Sequence, residues 1–384
     1  MTALALIGAR IFDGDAWHDD SALVVHAGQV EAIARPGSLP PDARLQRVQG
    51  GRLVPGFVDV QVNGGGGVLL NESPTVEAMG RIAQAHAALG TCRLLPTLVT
   101  APPTIVDAAL RAARQAPAGV LGLHLEGPHL GPRRRGVHDP ALMAPLGEAE
   151  VERLLAAGVP RLLVTVAAEQ VTPAQVRRLV DGGIFVSLGH SDASYEQAMA
   201  LFEAGATGAT HLFNAMSPLQ GRAPGLVGAA LESAGVWAGM IADGHHVSAA
   251  SLRIALRAKR GPGRLFLVSD AMPTVGAAIG SFRLGERLIE RRGDRLVWRG
   301  PAGEEVLAGA HLALATAIRF CVAALEVPLD EALRMAALYP ARFLRLDDRH
   351  GRLAPGRPAD IVHLDDTLQV RRTWVAGTEV APAG

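Results

Sequence analysis

Two hydrophobic rhythms divide the chain. Between residues 53 and 349, apolar, β-branched-rich runs at 53–62, 92–99, 119–126, 161–167, 184–190, 208–213, 236–242 and 265–270 alternate with stretches whose apolar positions recur every three to four residues. The runs are short enough for strands, and the stretches between them are long enough for helices of about ten to fifteen residues. Strand–helix alternation implies parallel βαβ units, and eight units close a barrel. The two chain ends follow a different rhythm. Strand-like segments at 3–7, 22–26 and 30–33, punctuated by Asp13-Gly14, are matched at the other end by 359–364 and 370–375 after the turn Ala354-Pro355-Gly356-Arg357-Pro358. Neither end alone has enough strands to bury a face. The expected architecture is therefore α/β: a (β/α)8 TIM barrel over 53–349 with a small β-sandwich built from 1–52 and 350–384.

Composition narrows the partners. Lys+Arg of 37 against Asp+Glu of 37 leaves no net charge, so neither a nucleic acid nor an anionic membrane surface is the expected partner. A small molecule is. Cys92 and Cys321, the two cysteines, cannot build a disulfide framework, which fits a reducing cytoplasm. No basic n-region precedes the first apolar run, so no secretory signal is expected. The most apolar later stretch, 307–327, contains His311, Arg319 and Glu326; it reads as a buried helix rather than a membrane span.

The last position of a barrel strand is where chemistry concentrates, because the C-terminal mouth carries the active site. Four strands end in polar residues of that kind: the third in His124-Leu125-Glu126-Gly127-Pro128, the fifth in Gly189-His190-Ser191, the sixth in Thr210-His211-Leu212-Phe213-Asn214, and the eighth in Ser269-Asp270-Ala271. Glu126, His190 and His211 form a donor set suited to zinc or a similar divalent ion with an open position for water, whose pKa such an ion lowers from 15.7 to about 7. Asp270 is the candidate proton carrier. A lone buried His is more often an ordinary hydrogen-bonded core residue, and His18, His26, His86, His350 and His363 are read so. His124 shares the inward face of Glu126 and stays outside the ligand set. Gly64 to Gly67 lack the lysine and Ser/Thr of a phosphate loop and are expected to form a tight loop admitting substrate. Arg133-Arg134-Arg135 reads as a solvated loop.

At these residues the sequence resembles the N-acetylglucosamine-6-phosphate deacetylase family of the amidohydrolase superfamily. The likeness runs through Leu53-Val54-Pro55-Gly56-Phe57-Val58-Asp59, the stretch from His124 to His138, the region from Gly189 to Met216, Ala242-Asp243-Gly244-His245-His246, Tyr339-Pro340-Ala341-Arg342 and Ala359-Asp360-Ile361-Val362. It implies metal ligation by Glu126, His190 and His211, and Asp270 as general base and acid. His138 would polarise the acetyl carbonyl, as an imidazole donor facing a developing oxyanion can. Substrate contacts are implied at Gln61, Val137, His138, Asn214, Ala215, Arg222, Asp243, His246 and the turn Leu307-Ala308-Gly309. Arg222 and His246 suit a phosphate on their own chemistry, and the resemblance implies that one of them acts across a homodimer interface. It also implies one divalent metal ion per subunit, zinc foremost, with iron, manganese or cobalt compatible.

One departure from the wider superfamily is informative. Strand one ends Asp59-Val60-Gln61-Val62-Asn63, without the His-x-His of binuclear members, and Lys259, the chain's lysine, lies on an expected helix far from strand four. A lysine-bridged metal pair is thus excluded. The expected reaction is hydrolysis of the acetamide of N-acetyl-D-glucosamine 6-phosphate. The galactosamine epimer, a cyclic amide, or sugar-phosphate binding without catalysis remain as alternatives.

Overall fold

The computed structural model describes residues 2–300 and 303–381; Met1 and 382–384, the extremes of the expected sandwich, lie outside the described residues. Eight parallel strands form one sheet in sequential order: Phe57–Val62, Thr91–Val99, Leu123–Glu126, Leu162–Val166, Phe185–Leu188, Gly208–Ala209, Trp237–Met240 and Leu265–Leu267. The sheet curls until its edges meet. Val62 bridges Ala271 in parallel, the Asp270 amide donates to the Gln61 carbonyl at 3.0 Å and the Asn63 amide to the Ala271 carbonyl at 2.9 Å. Eight helices, from Val76–Ala87 to Leu314–Ala324, follow the eight strands, giving the (β/α)8 TIM barrel expected from the pattern. Several helix starts are capped by side chains; Thr172 with Gln175 and Ser194 with Gln197 form capping boxes, which satisfy otherwise orphaned amides. Phe343 closes the barrel floor against Phe266 and Phe185, with ring centroids 5.3 and 6.0 Å away.

The first expected run, 53–62, divides at Gly56. Arg52–Pro55 leaves the barrel and pairs with Ile361–Leu364 and Arg10–Phe12. Gly56 marks the corner because a Cβ there would lie 2.4 Å from Cys92 Sγ. Two sheets flank this corner: a four-stranded one from the N-terminal segment alone, Gln29–Ala34, Ala22–His26, Leu4–Ile7 and Arg44–Arg47, and a six-stranded one that interleaves both chain ends. Side chains alternate along its strands as the pleat requires. Leu53 and Ile361 join Leu6, Leu23, Val25 and Trp374 between the sheets, whereas Val54, Val362 and Leu364 pack with the barrel core. A buried ion pair holds that contact: Arg93, on barrel strand two, reaches Asp360 with Nε and Nη2 at 2.7 and 2.8 Å, and His350 Nδ1 adds a contact at 3.3 Å.

The stretch after strand eight corrects the expectation at 307–327. Ser281–Leu284, Arg287–Arg292, Arg295–Arg299 and Glu305–Ala310 form a four-stranded antiparallel sheet, and the helix begins only at Leu314. Residues 307–310 are strand because they pair with the preceding hairpin and then with the barrel edge, where the Ala310 amide donates to the Asp270 carbonyl at 2.8 Å. This inserted sheet leans over the barrel mouth on an apolar cluster of Leu69, Val99, Val137, Met272, Leu284 and Ala308.

Candidate active site

At the C-terminal mouth lies a cavity of about 360 Å3. Glu126, His190, His211 and Asp270, from strands three, five, six and eight, all line it. Glu126 Oε1 is 3.0 Å from His211 Nε2 and 3.4 Å from His190 Nε2, and the two imidazole nitrogens are 3.0 Å apart. Ligand atoms about 2.1 Å from a tetrahedral ion stand roughly 3.4 Å from one another, so the three side chains fit a divalent cation. His190 Nδ1 donates to the Arg134 carbonyl at 2.8 Å, which fixes the tautomer and turns the Nε2 lone pair inward. Glu126, His138 and His190 also gather within 4.8 Å of one another.

Charge follows from burial and proximity. Burial opposes ionisation of Glu126, but the neighbouring imidazoles of His190 and His211 outweigh it and hold the carboxyl well below its usual range. Burial likewise opposes protonation of His211, and the hydrogen bond and field of Glu126 reverse the balance, raising it. The proton on His211 stands where a cation would displace it. Burial, reinforced by the charge of Glu126, pushes Asp270 up to about 6. Asn63 Nδ2 and Gln61 Nε2 donate to Asp270 Oδ1 at 2.7 and 3.3 Å, so Oδ2 is the oxygen left for cavity chemistry.

Strand ends position these groups at a cost in backbone strain. His190, His211, Phe213, Ala215 and Asp270 all adopt positive φ, between 33° and 76°, a region L-residues occupy only when surroundings enforce it. The enforcement is visible in the hydrogen bonds. The Gly131 amide donates to the His190 carbonyl at 2.8 Å, the Asn214 amide to the His211 carbonyl at 2.9 Å, and the Ala310 amide to that of Asp270.

His138 is buried beside His190, with ring centroids 4.4 Å apart, and burial pushes its pKa well down, so it is neutral. Its Nδ1 lies 2.8 Å from Thr100 Oγ1, whose hydroxyl also lies 3.3 Å from the Glu126 carbonyl. If that hydroxyl donates to Nδ1, the shorter contact, the proton of His138 sits on Nε2 and is free to serve as a donor. His138, Asn214, Ala215, His246, Leu307 and Gly309 line the cavity, as does Val137. Asp243 fixes His246: it accepts its backbone amide at 2.9 Å and approaches its Nδ1 at 2.6 Å.

Four expected contacts are placed otherwise. Gln61 is committed to Glu126 Oε1 at 3.0 Å and to Asp270, so it braces the site instead of facing the cavity. Asp243 acts through His246. Ala308 points away, into the apolar cluster beneath the inserted sheet, because strand alternation sends Leu307 and Gly309 the other way. Arg222 is exposed on the loop before the helix Gly225–Glu232 and does not line the cavity of its own chain. Gly64 to Gly67 also stay outside the cavity lining; they pack between the helix Val76–Ala87, where His86 Nε2 donates to the Gly64 carbonyl at 2.9 Å, and the loop at Pro273 and Val275. The arginine run is only partly solvated, since Arg134 pairs with Asp192 at 2.8 Å while its carbonyl orients His190. Lys259 Nζ is bonded to the Ser233 carbonyl at 2.8 Å and does not line the cavity.

Residues to which the sequence gives no site role complete the site. Asn63 shares the inward face of strand one with Asp59 and Gln61, and that i, i+2, i+4 polar spacing was the available signal. Thr100, one residue beyond strand two, gave none. Glu305, Val306, Ile241, Met272 and Val99 also line the cavity. His124 lies below, bonded to Thr165 Oγ1 at 2.7 Å and to the Val60 carbonyl at 3.1 Å, a barrel-interior residue as expected.

Known proteins are similar to this chain in sequence and fold. The amidohydrolase family matches residues 52–380. An N-acetylgalactosamine-6-phosphate deacetylase of Shewanella sp. (strain ANA-3) is 42% identical over 86% of this chain and 84% of its own. An N-acetylglucosamine-6-phosphate deacetylase of Haemophilus influenzae is 35% identical over 93% and 94% respectively. The crystal structure of N-acetylglucosamine-6-phosphate deacetylase from Pasteurella multocida superposes with a TM-score of 0.93 at 33% identity, covering 99% of this chain and 100% of that one. This chain belongs to the amidohydrolase family, in the branch of the N-acetylhexosamine-6-phosphate deacetylases.

Proposed function

We propose that the protein hydrolyses the acetamide of N-acetyl-D-glucosamine 6-phosphate to D-glucosamine 6-phosphate and acetate, in amino-sugar catabolism. The observation that carries this reading is the convergence of Glu126, His190 and His211 within 3.0–3.4 Å, with Asp270 and His138 on the same cavity. Glu126, His190 and His211 would hold one divalent ion per subunit, zinc foremost, with iron, manganese or cobalt compatible with the same donors. When bound, that ion supplies Lewis-acid polarisation and acidifies a water.

The chain's own residues do the rest. Asp270, held through Oδ1, takes the water's proton on Oδ2 and delivers it to the departing amine. His138 Nε2–H donates to the acyl oxygen as charge develops there. Asn214, the Ala215 backbone, Leu307 and Gly309 border the sugar, and His246, oriented by Asp243, meets the phosphate. Arg222 is assigned to the cavity of a partner subunit: its exposure outside its own cavity supports a homodimer in which each copy completes the other's phosphate site. The outer sheets, residues up to Pro55 together with those from His350 onward, are assigned to a separate small domain, with the inserted sheet belonging to the barrel. Among the described residues no helix is long and apolar enough to cross a membrane; a cytoplasmic setting rests on the expected substrate and the two unpaired cysteines.

The Shewanella relative, at 42% identity, gives the galactosamine epimer standing as a second reading. Acetate release from both epimers and from their unphosphorylated forms tests the proposal. A preference for a phosphorylated substrate, abolished in Asp270→Asn without loss of bound metal, is the expected result. Equal rates without phosphate would remove the case for His246 and Arg222, and near-normal turnover by Asp270→Asn would refute its role.

A further inference from the structure

The catalytic cavity has chemically unlike linings: His246 and Asn214 are polar, whereas Val99, Val137 and Met272 form an apolar wall that belongs to one cluster beneath the inserted sheet, next to His138. If the protein is the deacetylase proposed above, this asymmetry orients the amide. The scissile carbon lies at the Glu126–His190–His211 triad, its oxygen faces His138, its nitrogen faces Asp270, and the sugar extends toward Asn214 and His246. The acyl chain, the apolar part of the substrate, is then assigned to the apolar wall of Val99 and Val137.

That wall is thin. A second cavity, of about 500 Å3, lies behind it, lined by Thr100, Ala101, Ile105, Leu142, Leu284 and Arg287 among others. Val99, Val137 and His138 line both cavities. The partition is also anchored from outside, because Arg287 Nη1, on the inserted sheet, donates to the Val137 carbonyl at 2.7 Å while its guanidinium lies 5.1 Å from the Trp298 ring centroid.

We propose that Val99 and Val137 set the length of acyl chain the enzyme removes, and that trimming either opens the second cavity to longer N-acyl amides. The chemistry is unchanged by chain length. Water adds to the acyl carbon, the C–N bond breaks, the amine leaves with the proton carried by Asp270, and the carboxylate product is propionate or butyrate in place of acetate.

The test compares wild type, Val137→Ala and Val99→Ala on N-acetyl, N-propionyl and N-butyryl glucosamine 6-phosphate. It reads kcat/KM from amine release and, in an Asp270→Asn background, Kd by calorimetry. Wild type is expected to lose roughly tenfold for each added methylene. Val137→Ala should raise the butyryl-to-acetyl ratio by about tenfold or more in both readouts, with Val99→Ala acting in the same direction. Adding Ala101→Leu to Val137→Ala, which refills the second cavity, should return the ratio toward wild type. A wild type that releases acetate while both valine variants keep its ratio within about twofold would overturn the partition and leave the deacetylase reading standing. So would a ratio in Val137→Ala that Ala101→Leu does not move. A wild type that releases no acetate from either epimer would overturn the deacetylase reading and this inference with it.

Discussion

Asn63 offers the sharpest test of how Asp270 is tuned. Its Nδ2 donates to Asp270 Oδ1 at 2.7 Å, the shortest polar contact Asp270 makes, while its own Oδ1 is buried without a partner among the described residues. A hydrogen bond to a charged group is worth about 1.5–3 kcal/mol. Asn63→Ala removes one that favours the ionised carboxylate and also removes the unsatisfied oxygen, so the loss should appear in catalysis more than in stability. If the full value is felt in the transition state, kcat/KM falls roughly 10- to 160-fold. The pH profile adds a direction. Burial and Glu126 already raise Asp270 to about 6, and loss of the Asn63 bond raises it further, so a smaller fraction is ionised at any given pH below neutrality. A bound cation lowers Asp270 in wild type and variant alike and leaves the sign intact. The acidic limb of kcat/KM should therefore move to higher pH, with the deficit larger at pH 6 than at pH 8. Steady-state kinetics across that range, with metal content measured in parallel, decide the matter. An Asn63→Ala enzyme with normal metal, unchanged kcat/KM and an unmoved acidic limb would show that Asp270 does not depend on this bond.

Other perturbations separate the remaining parts. Thr100→Val, which removes the hydroxyl in contact with His138 Nδ1, should lower kcat by roughly ten- to a hundredfold with little change in KM, and Thr100→Ser should restore most of it. Glu126→Gln and His190→Ala should lose bound metal in elemental analysis while keeping a native circular dichroism spectrum, since their neighbours form the barrel without them. Asp360→Ala strands the guanidinium of Arg93 in a mostly buried site and should cost about 3–5 kcal/mol in urea unfolding; an effect under 1 kcal/mol would show the pair to be dispensable. Burial lowers His86 to about 4 in the folded protein, against about 6.5 in an unfolded chain. Its contribution is therefore complete above pH 6.5 and lost as pH falls toward 4: from pH 7.5 to pH 5 wild type should lose about 2 kcal/mol more stability than His86→Gln, which cannot titrate.

The barrel was legible because parallel strands covered on both faces read as continuous apolar runs, and the four central residues because they interrupt such runs at their ends. What was missed has physical reasons too. The inserted sheet consists of strands such as Arg287–Arg292 and Arg295–Arg299, whose apolar residues, Leu288-Ile289 and Leu296-Val297-Trp298, form runs of two and three closed in by arginine and glutamate, too short to stand out as strands. Its hairpin signals, Gly285-Glu286 and Gly293-Asp294, were present without strands of recognisable character around them. The strand Glu305–Ala310 runs into the apolar helix at Leu314, and periodicity cannot part a short apolar strand from a helix that follows it. Asn63 carries no distinctive signal of its own, because an asparagine at a strand end is also an ordinary turn residue.

These omissions share a cause that bears on function. Glu126, His190, His211 and Asp270 are specified by residue type at strand ends, which a sequence displays. Their orientation is specified by carbonyls and by residues brought from elsewhere: the Arg134 carbonyl for His190, Thr100 for His138, Asn63 for Asp270, and the Arg287 bond to Val137 for the wall of the cavity. A backbone carbonyl has no residue-type signature, and a threonine or asparagine beside an apolar strand has many uses. The chemistry is therefore written locally and its precision non-locally. Variants of the four central residues should abolish activity outright, whereas variants of the supporting set should leave graded enzymes whose pH profiles and acyl preferences have moved.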